Sequence, residues 1–148
     1  MDRSTFLSFA IYSCTYYDSS RRTNTMKYTL IGTLKVSQIC LGCMGFGDAS
    51  QGMHSWTLPY EDSKKIIFHA LESGINFFDT AMAYQSGTSE EYLGRAIKEY
   101  GHREDVVIAS KYTPKSDDSI DSRTYLRECL NNSLRRLQTD YIDLYIMH

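Results

Sequence analysis

No apolar run in the 148 residues approaches the ~20 needed for a membrane-crossing helix, so no transmembrane segment is expected. A strong charge of one sign is also lacking. Sixteen Lys and Arg against eighteen Asp and Glu leave a net charge of −2, which offers no basic face to a nucleic acid or an anionic membrane. Cysteine is sparse, at positions 14, 40, 43 and 129. Cys40-Leu-Gly-Cys43 has redox or zinc spacing, but it ends the apolar run Val36 to Leu41, with no second Cys or His pair to complete a metal site. A redox pair of this kind would open a helix, and the Gly-rich stretch after Cys43 does not. Two ordinary thiols at a strand end are expected. His54, His69, His102 and His148 also lack ligand spacing, so no metal is expected. What remains is the balance of an ordinary globular domain, and a soluble, cytoplasmic protein with a sizeable core is the expectation.

The first 25 residues differ from the rest. They are rich in Ser, Thr, Tyr and Arg, and their only apolar patch, Phe6 to Tyr12, is short for a signal sequence and follows no positive region. Met26 begins a stretch that reads like an ordinary N-terminus. Residues 1–25 are therefore expected to be a disordered or mis-assigned extension, and residues 26–148 the folded domain.

From Tyr28 onward the pattern is regular. Tyr28–Ile31 and Lys35–Ser37 flank a Gly32-Thr33 turn and predict a hairpin. Gln38 to Leu41 reads as a short strand, followed by a long loop from Gly42 to Leu58. Pro59 opens a helix to about Ser73, closed by Gly74. Ile75 to Asp79 reads as a strand. Thr88-Ser-Glu-Glu91 has the spacing of a capping box that starts a helix to Tyr100. Val106 to Ser110 is a strand leading into Lys111. A helix to about Leu137 carries the stripe Leu126, Leu130, Leu134 and Leu137. Tyr141 to Met147 is a last strand, followed by His148.

Such alternation predicts an α/β fold with a parallel sheet, either doubly wound or a barrel. Gly42-Cys-Met-Gly-Phe-Gly47 spells GxxGxG and runs into a loop. A dinucleotide-binding turn would need a helix N-terminus there to meet the pyrophosphate. The (β/α)₈ barrel is the better fit.

In a parallel sheet, polar residues at the C-terminal ends of consecutive strands converge on one face. Asp79, Lys111 and His148 each follow an apolar strand, and Tyr84 lies five residues beyond Asp79. Singly, each has a plain explanation: a turn-capping Asp, a solvated Lys, one of twelve tyrosines, an exposed His. Jointly they place a carboxylate, an ammonium, a phenol and an imidazole at one mouth.

The motifs that hold these residues also resemble a known family. Phe77-Phe-Asp-Thr-Ala-Met-Ala-Tyr84 with Ser89-Glu-Glu-Tyr-Leu-Gly-Arg-Ala96 is similar to the aldo-keto reductase signature around its second strand. Lys111, the segment Ser133-Leu-Arg-Arg-Leu137 with Asp140 to His148, and the opening Leu41-Gly-Cys-Met-Gly-Phe-Gly47 match as well. Met53 to Pro59 looks most like the bacterial sugar-aldehyde-reducing branches. The resemblance runs from about Met26 to His148. It implies the N-terminal half of a TIM (β/α)₈ barrel with an N-terminal hairpin, and NADPH-dependent reduction of a small-molecule aldehyde or ketone. Tyr84 would be the general acid, Lys111 would stabilise its phenolate, Asp79 would hold Lys111, and His148 would orient the carbonyl. Cys43, Met44 and Asp79 would contact the cofactor, and the loop with His54 and Trp56 would wall the substrate.

A whole barrel of this kind is typically about 250 residues. The chain is therefore expected to be truncated, to lack most of the cofactor site, and to be inactive alone. Exposed half-barrel edges would favour self-association. Three readings stay open: an incomplete reductase, a non-catalytic regulatory subunit of the same fold like the potassium-channel β-subunits, or an inert fragment of a disrupted gene.

Overall fold

Positive φ at Gly32 (+60°) lets the chain reverse between β1 (Tyr28–Ile31) and β2 (Leu34–Ser37), which pair antiparallel. These strands form a separate hairpin in the computed structural model, which describes residues 25–115 and 121–148. The expected extension thus lies outside the described residues, apart from Thr25. After the hairpin come β3 (Cys40–Gly42), α1 (Tyr60–Glu72), β4 (Phe77–Asp79), α2 (Thr88–Tyr100), β5 (Val107–Tyr112), α3 (Ser122–Leu137) and β6 (Leu144–Met147). Every predicted element is present; β1 has the expected bounds and the other strands shift by up to three residues.

β3 to β6 make one sheet whose spatial order is the chain order, and all three pairings are parallel. A doubly wound sheet reverses its order at a switch point, whereas this one adds each strand beside the last, as a barrel does. The hairpin sits at the N-terminal end of β4, tied there by Asn76, whose Oδ1 accepts from the Ser37 amide at 2.7 Å. The opposite end of the sheet is left open.

Residues alternate across each strand. Phe78 and Ile108 point toward the helices, where they meet Ile67, Leu93, Ile97 and Leu137 in the main core. Asp79 and Lys111 fall on the other face by the same alternation. β3 and β6 are the sheet's edges, and Ile146 and Met147 on β6 are exposed. Among the described residues, no helix is long and apolar enough to cross a membrane.

Two expectations about the helices need correcting. Thr88 does not cap α2. Gly87 takes the cap position at φ +93°, so the helix begins one residue early, and the Thr88 hydroxyl donates instead to the Gln85 carbonyl at 2.8 Å. The buried side of α3 is Cys129, Ser133 and Leu137, while Leu126, Leu130 and Leu134 are half-buried. At the end of α3 the two helices pack closely. A Cβ on Gly94 would stand 2.3 Å from the Leu137 carbonyl oxygen, a backbone atom that cannot swing away.

This contact has a test in which two effects oppose. Helix propensity alone would make Gly94→Ala stabilising by about 1 kcal/mol. Overpacking against backbone costs about 1–3 kcal/mol and should win. The net loss is up to about 2 kcal/mol, and the thermal midpoint is expected to fall by up to roughly 8 °C in circular dichroism. A rise would show that α2 and α3 can separate freely.

Candidate active site

Asp79 ends β4, and Lys111 stands one residue before the end of β5. Asp79 is registered with Ala109, so Lys111 lies two residues further along the same face. That offset is about 6.6 Å of strand, which a lysine side chain spans easily. Its Nζ donates to Asp79 Oδ2 at 2.7 Å, to the Thr80 carbonyl at 3.0 Å and to Tyr84 Oη at 3.1 Å. The three donor positions of the ammonium are all used.

Tyr84 reaches this position because the chain after Thr80 turns tightly. The Thr80 and Met82 amides donate to the carbonyls of Ala109 and Lys111, holding the turn against β5. Tyr84 then enters a short 3-10 turn, Tyr84–Gly87. Partial burial disfavours the Lys111 charge, but the hydrogen bonds to Asp79 and Tyr84 outweigh it. The net effect holds the Lys111 pKa above its ordinary value. The ammonium therefore stays charged through neutral pH.

His148 continues the ladder beyond β6, its amide donating to the Tyr112 carbonyl at 2.9 Å. Its ring meets the Tyr84 ring edge-on, with centroids 5.9 Å apart at 81°. The three residues singled out at strand ends and Tyr84 thus meet at one mouth.

The residues expected near a cofactor divide. Met44 is exposed. Cys43 is wholly buried in the core, its amide donates to the Asp79 carbonyl, and its own carbonyl accepts from Ser89 Oγ. Both thiols of the Cys40–Cys43 pair have raised pKa values, mainly through burial. Cys40 is pushed up to about 11 and Cys43 further. Neither has the depressed pKa of a reactive cysteine. No group of three His, Cys, Asp or Glu among the described residues could hold a metal ion.

His54 and Trp56 form a tilted ring pair with centroids 4.8 Å apart. Trp56 lies over Gly45, on the loop that follows β3, and is 52% exposed. It therefore stands at the same end of the sheet as Tyr84, whose loop follows the adjacent strand.

Two groups of buried polar residues were not singled out in the sequence. Gln85, next to Tyr84, is buried and bonded to the loop that carries His54. Glu90 is fully buried on α2, where it accepts from Ser110 Oγ at 2.6 Å and pairs with Arg136 at 2.6 Å. This pair ties α2 and α3 to β5 one residue before Lys111. Nothing local marked Glu90, because a carboxylate in the first turn of a helix is ordinary.

Chemically, a phenol beside a fixed ammonium can give up a proton and leave a phenolate that is already paired. An imidazole at the phenol's edge can donate to the same acceptor.

The sequence model of the Aldo/keto reductase family matches residues 38–148. Among curated proteins, the aldo-keto reductase YhdN of Bacillus subtilis is 41% identical over 129 residues, covering 83% of this chain and 38% of its own length. Among solved structures, an aldo-keto reductase from Bacillus halodurans in its holo form aligns with a TM-score of 0.65 at 36% identity, over 83% of this chain and 40% of that one. One from Klebsiella pneumoniae, in complex with NADPH, aligns with a TM-score of 0.64 at 31% identity, over 83% and 39%. The chain spans about two-fifths of the length of these relatives.

Proposed function

Because the chain belongs to the aldo/keto reductase family and its strands form part of that family's (β/α)₈ barrel, we propose that it carries the proton-delivery side of an NADPH-dependent carbonyl reductase. The observation that carries this reading is one ammonium, Lys111 Nζ, held at once by Asp79 and by Tyr84 Oη. Residues 26–148 are the barrel portion.

Tyr84 is the general acid that protonates the oxygen of a small aldehyde or ketone. The ordinary tyrosine pKa of about 10 is far from neutral, so proton loss needs help. Lys111 gives that help by facing the phenolate, and Asp79 keeps Lys111 in place. His148 orients the carbonyl by hydrogen bonding to the same oxygen.

The mouth fits the nicotinamide end of the cofactor in part. Met44 is exposed and Asp79 is partly so, and both can contact a flat ring. Cys43, buried and with both backbone groups engaged, has no group free to do so. When bound, the reduced nicotinamide supplies the hydride. The chain spans two-fifths of its relatives, and by itself it is expected to reduce carbonyls at background rate.

A hybrid tests the reading. Residues 38–148 replace the matched segment of the Bacillus subtilis aldo-keto reductase, and NADPH oxidation is followed with 4-nitrobenzaldehyde. Reduction of the aldehyde is the expected result. A hybrid that folds and binds NADPH but reduces no aldehyde would overturn it.

A further inference from the structure

Tyr84 is followed by a residue in an unusual state. Gln85 has φ +47° and Ser86 φ +54°, two successive non-glycine residues in the left-handed region. Gln85 is also 1% exposed. A long polar side chain in that conformation needs compensation, and the hydrogen bonds supply it. The two Nε2 hydrogens of Gln85 are shared among the carbonyls of Asp48 (3.1 Å), His54 (2.8 Å) and Gln51, and its Oε1 accepts from the His54 amide at 2.9 Å. Three carbonyls can only accept and an amide can only donate, so the orientation of the side-chain amide is unambiguous.

The loop is shaped to receive this side chain. Gly47 and Gly52 both have positive φ, and a Cβ on either would lie 2.7 Å from Gln85, at its Cβ and its Cα respectively. Thr88 adds a second strap, its Oγ1 accepting from the Asp48 amide at 2.9 Å. His54, bonded to Gln85 through both its backbone groups, carries the ring that packs on Trp56.

We propose that Gln85 is a positioning residue for substrate selection. It ties the 48–58 loop to the residue next to Tyr84 and holds the His54–Trp56 ring pair as a fixed wall at the mouth. Only the functional consequence rests on Tyr84 being the proton donor; the tie itself does not. A wall of held aromatic faces favours flat aromatic carbonyl compounds over small aliphatic ones.

The test uses the full chain and its single tryptophan, Trp56. Gln85→Glu keeps the shape but turns a carboxylate toward three carbonyls, and Gln85→Met keeps the length without hydrogen bonds or a buried charge. In both, amide exchange over residues 48–54 is expected to rise at least tenfold, and acrylamide quenching of Trp56 at least twofold, with helical circular dichroism retained. Titration with 4-nitrobenzaldehyde should quench Trp56 saturably in the unaltered chain. Its Kd should weaken at least tenfold in the variants, and propanal should give no such response. Tyr84→Phe should leave the loop readouts unchanged, which separates a failure of the acid role from a failure of the tie. If Gln85→Glu does not fold, Gln85→Met decides. Unchanged exchange and quenching would overturn the proposal. So would a released loop with unaltered aldehyde affinity, or no saturable quenching in the unaltered chain.

Discussion

Tyr84→Phe, made in the hybrid, is expected to lower the NADPH-dependent reduction of 4-nitrobenzaldehyde by about 10²–10⁴-fold, the usual contribution of a positioned general acid. The substitution removes one oxygen and little else. Lys111 keeps its bonds to Asp79 at 2.7 Å and to the Thr80 carbonyl at 3.0 Å, and the ring still packs edge-on against His148. Thermal stability should therefore fall by no more than about 1.5–3 kcal/mol, the worth of one hydrogen bond to a charged group. A rate loss larger than the stability loss is the signature of a proton donor. Equal rates would remove Tyr84 from the chemistry.

Arg136→Met should have the largest effect on stability. Glu90 is fully buried, and Arg136 is the cation that compensates it. Without Arg136 the carboxylate keeps only the Ser110 hydroxyl. Breaking a buried pair from one side costs about 3–5 kcal/mol, because a charge is left in a low-dielectric interior. For a chain of this size that is a drop of roughly 10–20 °C in thermal midpoint. Adding Glu90→Gln should recover much of the loss, since a neutral amide can still accept from Ser110. A single variant melting within a degree or two of the parent would mean that water reaches Glu90.

The alternation of strands and helices was legible because each element carries its own period and its own stop signal. Gly74 and Gly101, both at positive φ, stand at the ends of α1 and α2. Asp79, Lys111 and His148 were legible because a polar residue ending an apolar strand must lie at the sheet's open end. Tyr84 was not placed by strand period but by its position five residues beyond Asp79, on the loop that leaves the same mouth. The buried polar groups were hidden for a different reason. Gln85 and Glu90 are satisfied by partners 20–46 residues distant, and no local pattern records such pairs. The capping-box reading of Thr88-Ser-Glu-Glu91 rested on Thr88 and Glu91 and gave Glu90 no role, although Glu90 is the residue that pairs with Arg136. The leucine stripe of α3 was only partly informative: Leu137 is buried and its backbone meets Gly94, whereas Leu126, Leu130 and Leu134 are half-buried.

The central claim is that Tyr84 and Lys111 act as one proton-delivery unit. The most direct measurement is a double-mutant cycle on the reduction rate in the hybrid, using Tyr84→Phe, Lys111→Met and the pair. If Lys111 acts through the phenol, it has nothing left to assist once the hydroxyl is gone. The account predicts a double variant no more than about threefold slower than Tyr84→Phe alone. A double variant slowed by the product of the two single losses would show independent roles and contradict it.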